Sequence, residues 1–270
     1  ELDSAVMLSG LRFRANFFKT IKGSAVVLRR VENIVPEMEQ LNLPPVLYDA
    51  VDMHKGLVLV TGPTGSGKTT TIASIINEIN KTRKANIITI EDPVEFIHKD
   101  KLSIISQREV GKHTQSFSNS LRAALREDPD IIFVGELRDL ETISLAMTAA
   151  ETGHVVFGTL HTSGAPETIN RIIDVFPPEQ QSQIKAQISN SVKMVLTQRL
   201  VKSKDGLNRF AAFEVMKCTP PIQNLIREGK VHQIPSVIQT SAKDGMIEMK
   251  KSLEDLIRAG KIDGTAAKED

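Results

Sequence analysis

One cysteine, one tyrosine and no tryptophan occur in 270 residues. A single cysteine, Cys218, excludes an internal disulfide and any multi-cysteine zinc site, which suits a reducing cytosol. Cys218 itself reads as a small buried side chain. The scarcity of aromatics leaves little for stacking nucleobases, and a net charge of +1 provides no global field to gather nucleic acid or anionic lipid. No stretch approaches the roughly 18 consecutive apolar residues that cross a bilayer. No charged-then-apolar leader pattern precedes the first strand candidate either. These absences lead to the expectation of a soluble, cytoplasmic chain with no nucleic-acid partner. Internal repeats and low-complexity tracts are also missing. What is present, 40% hydrophobic residues, supports the core of one large domain or one and a half.

Residues 1–35 differ from the rest. Arg12 to Phe18 alternates loosely, Lys22-Gly23-Ser24 offers a turn, and Ala25 to Leu28 is a second short strand candidate. A lone hairpin is marginal in water, so this segment is expected to be the end of a truncated N-terminal domain. Prolines 36, 44 and 45 then mark a linker over 36–45. From 46 to 264 strands and helices alternate, with a short tail at 265–270. Ile72, Ile75, Ile76 and Ile79 give residues 68–80 one apolar helical face. Strands are expected over 57–60, 86–90, 131–134 and 155–160, with helices around 117–125 and 140–152, the latter stopped by Gly153. Near-continuous apolar strands joined by helices argue for a mainly parallel sheet covered on both faces. After Pro177-Pro178 the chain reads as mostly helical, over 180–195, 221–228 and 248–259.

Directly after the apolar run Leu57 to Val60 comes Gly62, then four residues, then Gly67-Lys68-Thr69. This is the phosphate-binding pattern G-x-x-x-x-G-K-[ST] in its proper context of strand before and helix after. Glycines at 62, 65 and 67 allow turn conformations in which successive N–H groups point inward at phosphate oxygens. Lys68 then reaches the outer phosphates and the Thr69 hydroxyl is placed for Mg²⁺. Gly62, Thr64, Gly65, Ser66, Gly67, Lys68, Thr69 and Thr70 are therefore the candidate nucleotide contacts, with ATP and Mg²⁺ as the expected ligands.

In an open parallel sheet, ligands sit beyond the carboxyl ends of the strands. Glu91, Asp92 and Glu95 follow one strand, Gly135-Glu136 another and His161 a third. Hydrolysis of a terminal phosphate needs a base for water, a carboxylate in the metal shell and positive charge for the transition state. Two acids at separate strand ends can divide the first two tasks. His154, at the start of its strand, is expected at the far edge in a structural role.

The run Ser120 to Asp130, continuing through Ile131 to Arg138, resembles the secretion ATPase superfamily that drives type II secretion and type IV pili, and within it the pilus retraction motors. The likeness extends through Ile90-Glu91-Asp92-Pro93-Val94-Glu95, similar to the family's aspartate box, and Gly135-Glu136-Leu137-Arg138-Asp139, its atypical Walker B. It also takes in Thr148 to His154 and, as the histidine box, Gly158 to Thr162. The resemblance implies Glu95 as the general base, Glu136 in the metal shell with Thr69, and His161 as γ-phosphate sensor. It further implies Arg14 and Arg29 as arginine fingers acting on nucleotide held between domains or subunits. The fold it implies is α/β: a RecA-like P-loop NTPase domain with a mainly parallel sheet, preceded by a fragment of a small PAS-like α+β domain and followed by a helical part. A homo-hexamer is implied, acting on an inner-membrane platform protein at the membrane's cytoplasmic face in a bacterium.

Assembly and secretion members carry paired C-x-x-C motifs, which one cysteine cannot supply. Pro221 to Glu228 resembles the retraction signature Ala-Ile-Arg-Asn-Leu-Ile-Arg-Glu, with Pro221 for Ala and Gln223 for Arg. Retraction is the expectation. A type II/IV secretion or pilus-assembly ATPase, a RecA-like nucleic-acid translocase and a non-hydrolysing nucleotide-binding regulator stand as alternatives.

Overall fold

Four consecutive apolar residues, Leu57 to Val60, have no polar face to offer to water, so they are stable only in a sheet covered on both sides. The computed structural model, which describes residues 2–31 and 34–264, buries all of them. In chain order the elements are β1 (Leu2–Leu8), β2 (Leu11–Thr20), β3 (Gly23–Val31), α1 (Tyr48–Val51), β4 (Gly56–Thr61), α2 (Lys68–Thr82), β5 (Asn86–Glu91), β6 (Ile104–Glu109), α3 (Phe117–Ala124) and β7 (Ile131–Val134). There follow α4 (Leu140–Glu151), β8 (Val155–Leu160), α5 (Ala165–Asp174), α6 (Gln181–Ser191), β9 (Val192–Lys202), β10 (Arg209–Lys217), α7 (Pro220–Arg227), α8 (Ile234–Thr240) and α9 (Met249–Arg258).

The large sheet has seven strands in the order β10-β9-β4-β8-β7-β5-β6. Only the β9–β10 pair is antiparallel. Alternation along β4 sends Leu57 and Leu59 into one core, with Ile143 and Met147 of α4 and Ile169 of α5. Val58 and Val60 enter the other, with Ile72, Ile75, Ile76 and Ile79 of α2. Burying one such isoleucine is worth about 1.5–3 kcal/mol, so α2 is held by its apolar face far more than by helix propensity. Met38 and Leu43 join this second core, so part of the segment before α1 packs on the large sheet. Because the inner strands are parallel, the carboxyl ends of β4, β5, β7 and β8 fall along one edge, above which the site is built.

The structure departs from expectation in four places: β6 and β10 are strands where none was expected, and the other two are the end of one helix and the N-terminal segment. The helix expected over 180–195 ends at Ser191, where Val192 turns extended, and its last residues belong to β9. β9 is buried over most of its length because it lies between β4 and β10, and that two-sided burial overrides local helical preference. The N-terminal segment is a three-stranded antiparallel sheet, β1-β2-β3, one strand more than the two candidates in the sequence. The tail at 265–270 lies outside the described residues. Among the described residues no helix is long and apolar enough to cross a membrane.

Candidate functional site

The loop between β4 and α2 takes the shape its glycines permit: Gly62, Gly65 and Gly67 all have positive φ, at 137°, 78° and 89°. Gly67 is the N-cap of α2, so the free N–H groups of the helix's first turn and its positive dipole end face the loop. Lys68, although buried, donates from Nζ to the carbonyls of Gly62 and Pro63 at 2.8 and 3.0 Å. Burial holds its pKa below the usual lysine value, against the opposing pull of Glu136 and Glu95. Ser66 Oγ is buried with no partner among the described residues. An ammonium held by its own loop and an orphaned hydroxyl beside it fit an incoming phosphate, which would satisfy both. Thr64 and Gly65 lie exposed at the loop's crest.

Glu136, just past β7, accepts from Arg138 Nε at 2.7 Å and from His161 Nε2 at 3.3 Å. Lys68 Nζ lies 3.4 Å from His161 Nδ1. An ammonium facing Nδ1 assigns that nitrogen as acceptor and leaves the proton on Nε2, where it meets Glu136. Burial pushes the Glu136 carboxyl up, but Arg138 and His161 more than offset it, and the net shift is downward. The group is thus held as a carboxylate. Thr69, Glu95 and Glu136 line one small recess of about 60 Å³. Among the described residues no cluster of three or more His, Cys, Asp or Glu could hold a metal alone. A hydroxyl and a carboxylate do fit a hard cation whose remaining ligands are phosphate oxygens and water.

Arg14 on β2 and Arg29 on β3 are direct cross-strand partners. Like charges so opposed repel unless an anion lies between them. Both line a cleft of about 390 Å³ between the small sheet and the large one, which Thr70 and Glu95 line from the other side. The structure therefore brings the candidate arginines and the candidate base to one cavity. His154 lies away from it, before β8, with Nδ1 3.0 Å from the carbonyl of Ala149.

A family model described as "Type II/IV secretion system protein" matches residues 3–259. The chain belongs to that family. It is 51% identical over 269 residues to a twitching motility protein of Neisseria gonorrhoeae, a match covering 99% of this chain and 72% of the relative. It is 49% identical over 270 residues to the type IV pilus retraction ATPase PilT of Pseudomonas aeruginosa, covering all of this chain and 78% of that one. A crystal structure of the pilus retraction motor PilT with bound ADP superposes with a TM-score of 0.92 at 47% identity, covering 98% of this chain and 76% of the other. The chain is thus a PilT-like ATPase, with the α/β fold and the mainly parallel sheet that the motifs implied.

In this PilT-like ATPase three further residues hold the loop that carries Glu95. Gln107 of β6 donates to the carbonyl of Phe96 at 2.8 Å and accepts from the N–H of His98 at 2.8 Å. Glu109 accepts from the N–H of Val94 at 3.2 Å. Glu91 takes bonds from Thr89 Oγ1 at 2.7 Å, Gln107 Nε2 at 3.2 Å and the backbone at Glu95. Burial raises the Glu91 pKa, and those donors offset part of the rise. Nothing in the sequence marks Gln107 or Glu109: their partners are loop atoms brought near only by the pairing of β5 with β6. At the other end of the site, Glu214 of β10 accepts from the N–H of Ala165 at 2.8 Å and so caps α5 just after His161.

Proposed function

We propose that this chain is the ATP-hydrolysing subunit of a motor that powers type IV pilus retraction. It acts as a homo-hexamer at the cytoplasmic face of a bacterial inner membrane, where movement of its domains turns a platform protein and disassembles the pilus during twitching motility. The observation that carries the catalytic part is the shared cleft, lined from one side by Arg14 and Arg29 and from the other by Thr70 and Glu95.

Each residue's role follows from its chemistry. Gly62 and Thr64 to Thr70 cradle the triphosphate with backbone N–H groups, and Lys68 exchanges its loop carbonyls for phosphate oxygens. Thr69 and Glu136 would hold Mg²⁺, which would supply charge stabilisation at the phosphate oxygens. Glu95 removes a proton from the attacking water. His161, bridging Lys68 and Glu136, reports whether the terminal phosphate is present. Arg14 and Arg29 place two guanidiniums over the charge that builds in the transition state, and closing the cleft around them links domain movement to hydrolysis.

The test is Glu95→Gln. Loss of a positioned base is expected to lower kcat about 10²–10⁴-fold while ATP affinity, measured by equilibrium titration, stays near wild type. Unchanged turnover would remove Glu95 from the mechanism.

A further inference from the structure

Gln198 stands on β9, more than a hundred residues from the phosphate loop, in none of the motifs that announce the site. β4 and β9 run side by side until Thr61 faces Thr197, their hydroxyls 2.9 Å apart. There β4 ends and turns into the loop, whereas β9 continues to Lys202. The loop consequently lies on an overhang of β9, and the first residue of that overhang is Gln198.

The contact is close and fully buried. Gln198, 3% exposed, donates from Nε2 to the carbonyl of Ser66 at 2.6 Å and accepts at Oε1 from the Thr71 hydroxyl at 2.7 Å. Only the NH₂ end can face a carbonyl, so the amide's orientation is fixed by its partners. Two of the loop's glycines close on the same residue. A Cβ on Gly62 would fall 2.2 Å from the Gln198 carbonyl oxygen, and one on Gly67 would fall 2.8 Å from Nε2. These glycines serve the approach to Gln198 as well as the turn. Ser66 and Thr71 flank Gly67, Lys68, Thr69 and Thr70, so one side chain grips both ends of the segment that meets the phosphates.

We propose that Gln198 is the positioning residue that shapes the phosphate loop before nucleotide arrives. A glycine-rich loop left free must be ordered at the expense of binding energy, and a loop already clamped in shape binds more tightly for the same contacts. The proposal rests on this loop being the nucleotide's phosphate cradle. Gln198 touches no phosphate in this arrangement; it acts through the backbone at Ser66 and through α2 at Thr71.

The experiment compares wild type, Gln198→Met, Thr71→Val, their combination and Lys68→Ala as full-length chains. Fluorescent ADP affinity, ATP KM and kcat, and the melting temperature without nucleotide are measured. Gln198→Met strands a buried carbonyl and a buried hydroxyl, so its affinity and KM should weaken about tenfold with kcat within about threefold. Thr71→Val, nearly the same shape, should weaken both about threefold, and the combination should be no worse than Gln198→Met because both remove the same bond. A fall in melting temperature with unaltered affinity and KM would make Gln198 an ordinary packing residue and overturn the proposal. Should Gln198→Met fail to fold, Thr71→Val decides alone, and wild-type affinity there overturns it. Lys68→Ala separates the two levels. If it binds ADP normally, the cradle reading fails and takes the proposal with it; if it loses affinity while Gln198→Met and Thr71→Val keep theirs, only the proposal fails.

Discussion

His98, on the segment between β5 and β6, carries a buried Nδ1 with no partner among the described residues. Burial, with a smaller push from Lys101, lowers its pKa from 6.5 to about 4. The unfolded chain therefore binds more protons than the folded one between those values, and stability is lost as pH falls through 6.5 towards 4. At 1.36 kcal/mol per pH unit the loss is at most roughly 3 kcal/mol. The melting temperature of wild type should drop more between pH 7 and pH 4.5 than that of His98→Asn, which cannot titrate; equal drops would exclude the histidine as the source. At this scale the sequence was legible where chemistry is written in the residue type. An acid after a strand, a lysine after a glycine pair and a histidine at a strand end each drew attention to themselves. Gln107 and Gln198 did not, because an amide gains meaning only from the backbone atoms folding brings to it.

β6 shows the same limit for an element. Its sequence runs from Ile104 through Ser106, Gln107, Arg108 and Glu109, with Ile104 exposed and Glu109 buried, which inverts the usual order of apolar inside and polar outside. The reason is that this edge strand uses its polar side chains to hold the loop carrying Glu95. β9 is concealed differently: its apolar start continues directly from α6, and periodicity cannot separate the first residues of a buried strand from the last turn of a helix. By contrast, α2 was readable to within two residues because its four isoleucines keep one face over three turns. The bracket on the Glu95 loop makes a kinetic prediction. Gln107→Leu frees both Phe96 O and His98 N–H, letting Glu95 wander from the position that its proposed role as base requires. Misplacement of about 1 Å can cost about 10²-fold, and the loss should fall on kcat with ATP affinity retained. A variant that loses affinity and keeps kcat would show that the bracket serves the loop's binding face instead.

For the whole molecule, the question is where the arginines and the base must come from. The small sheet sits so that Arg14 and Arg29 share a cleft with Thr70 and Glu95 of the same chain. If that arrangement is the working one, each chain completes its own arginine–base pair and the proposed ring adds coordination between sites. Arg14→Ala and Arg29→Ala should each lower turnover steeply, towards the 10³–10⁵-fold associated with an arginine finger, and the loss should be smaller at the binding step. Mixing tests the source. An Arg14→Ala chain has an intact base, and a Glu95→Gln chain has intact arginines. When the two are combined at concentrations that favour assembly, sites completed across a subunit boundary would regain activity in proportion to mixed neighbours. Sites completed within one chain would not, so turnover should stay at the sum of the two inactive parents. Recovery well above that sum would move the arginines to the neighbouring subunit's nucleotide. It would also mean that the cleft between the two sheets opens when the ring forms, with the repulsion between the paired guanidiniums relieved by a phosphate of the next site.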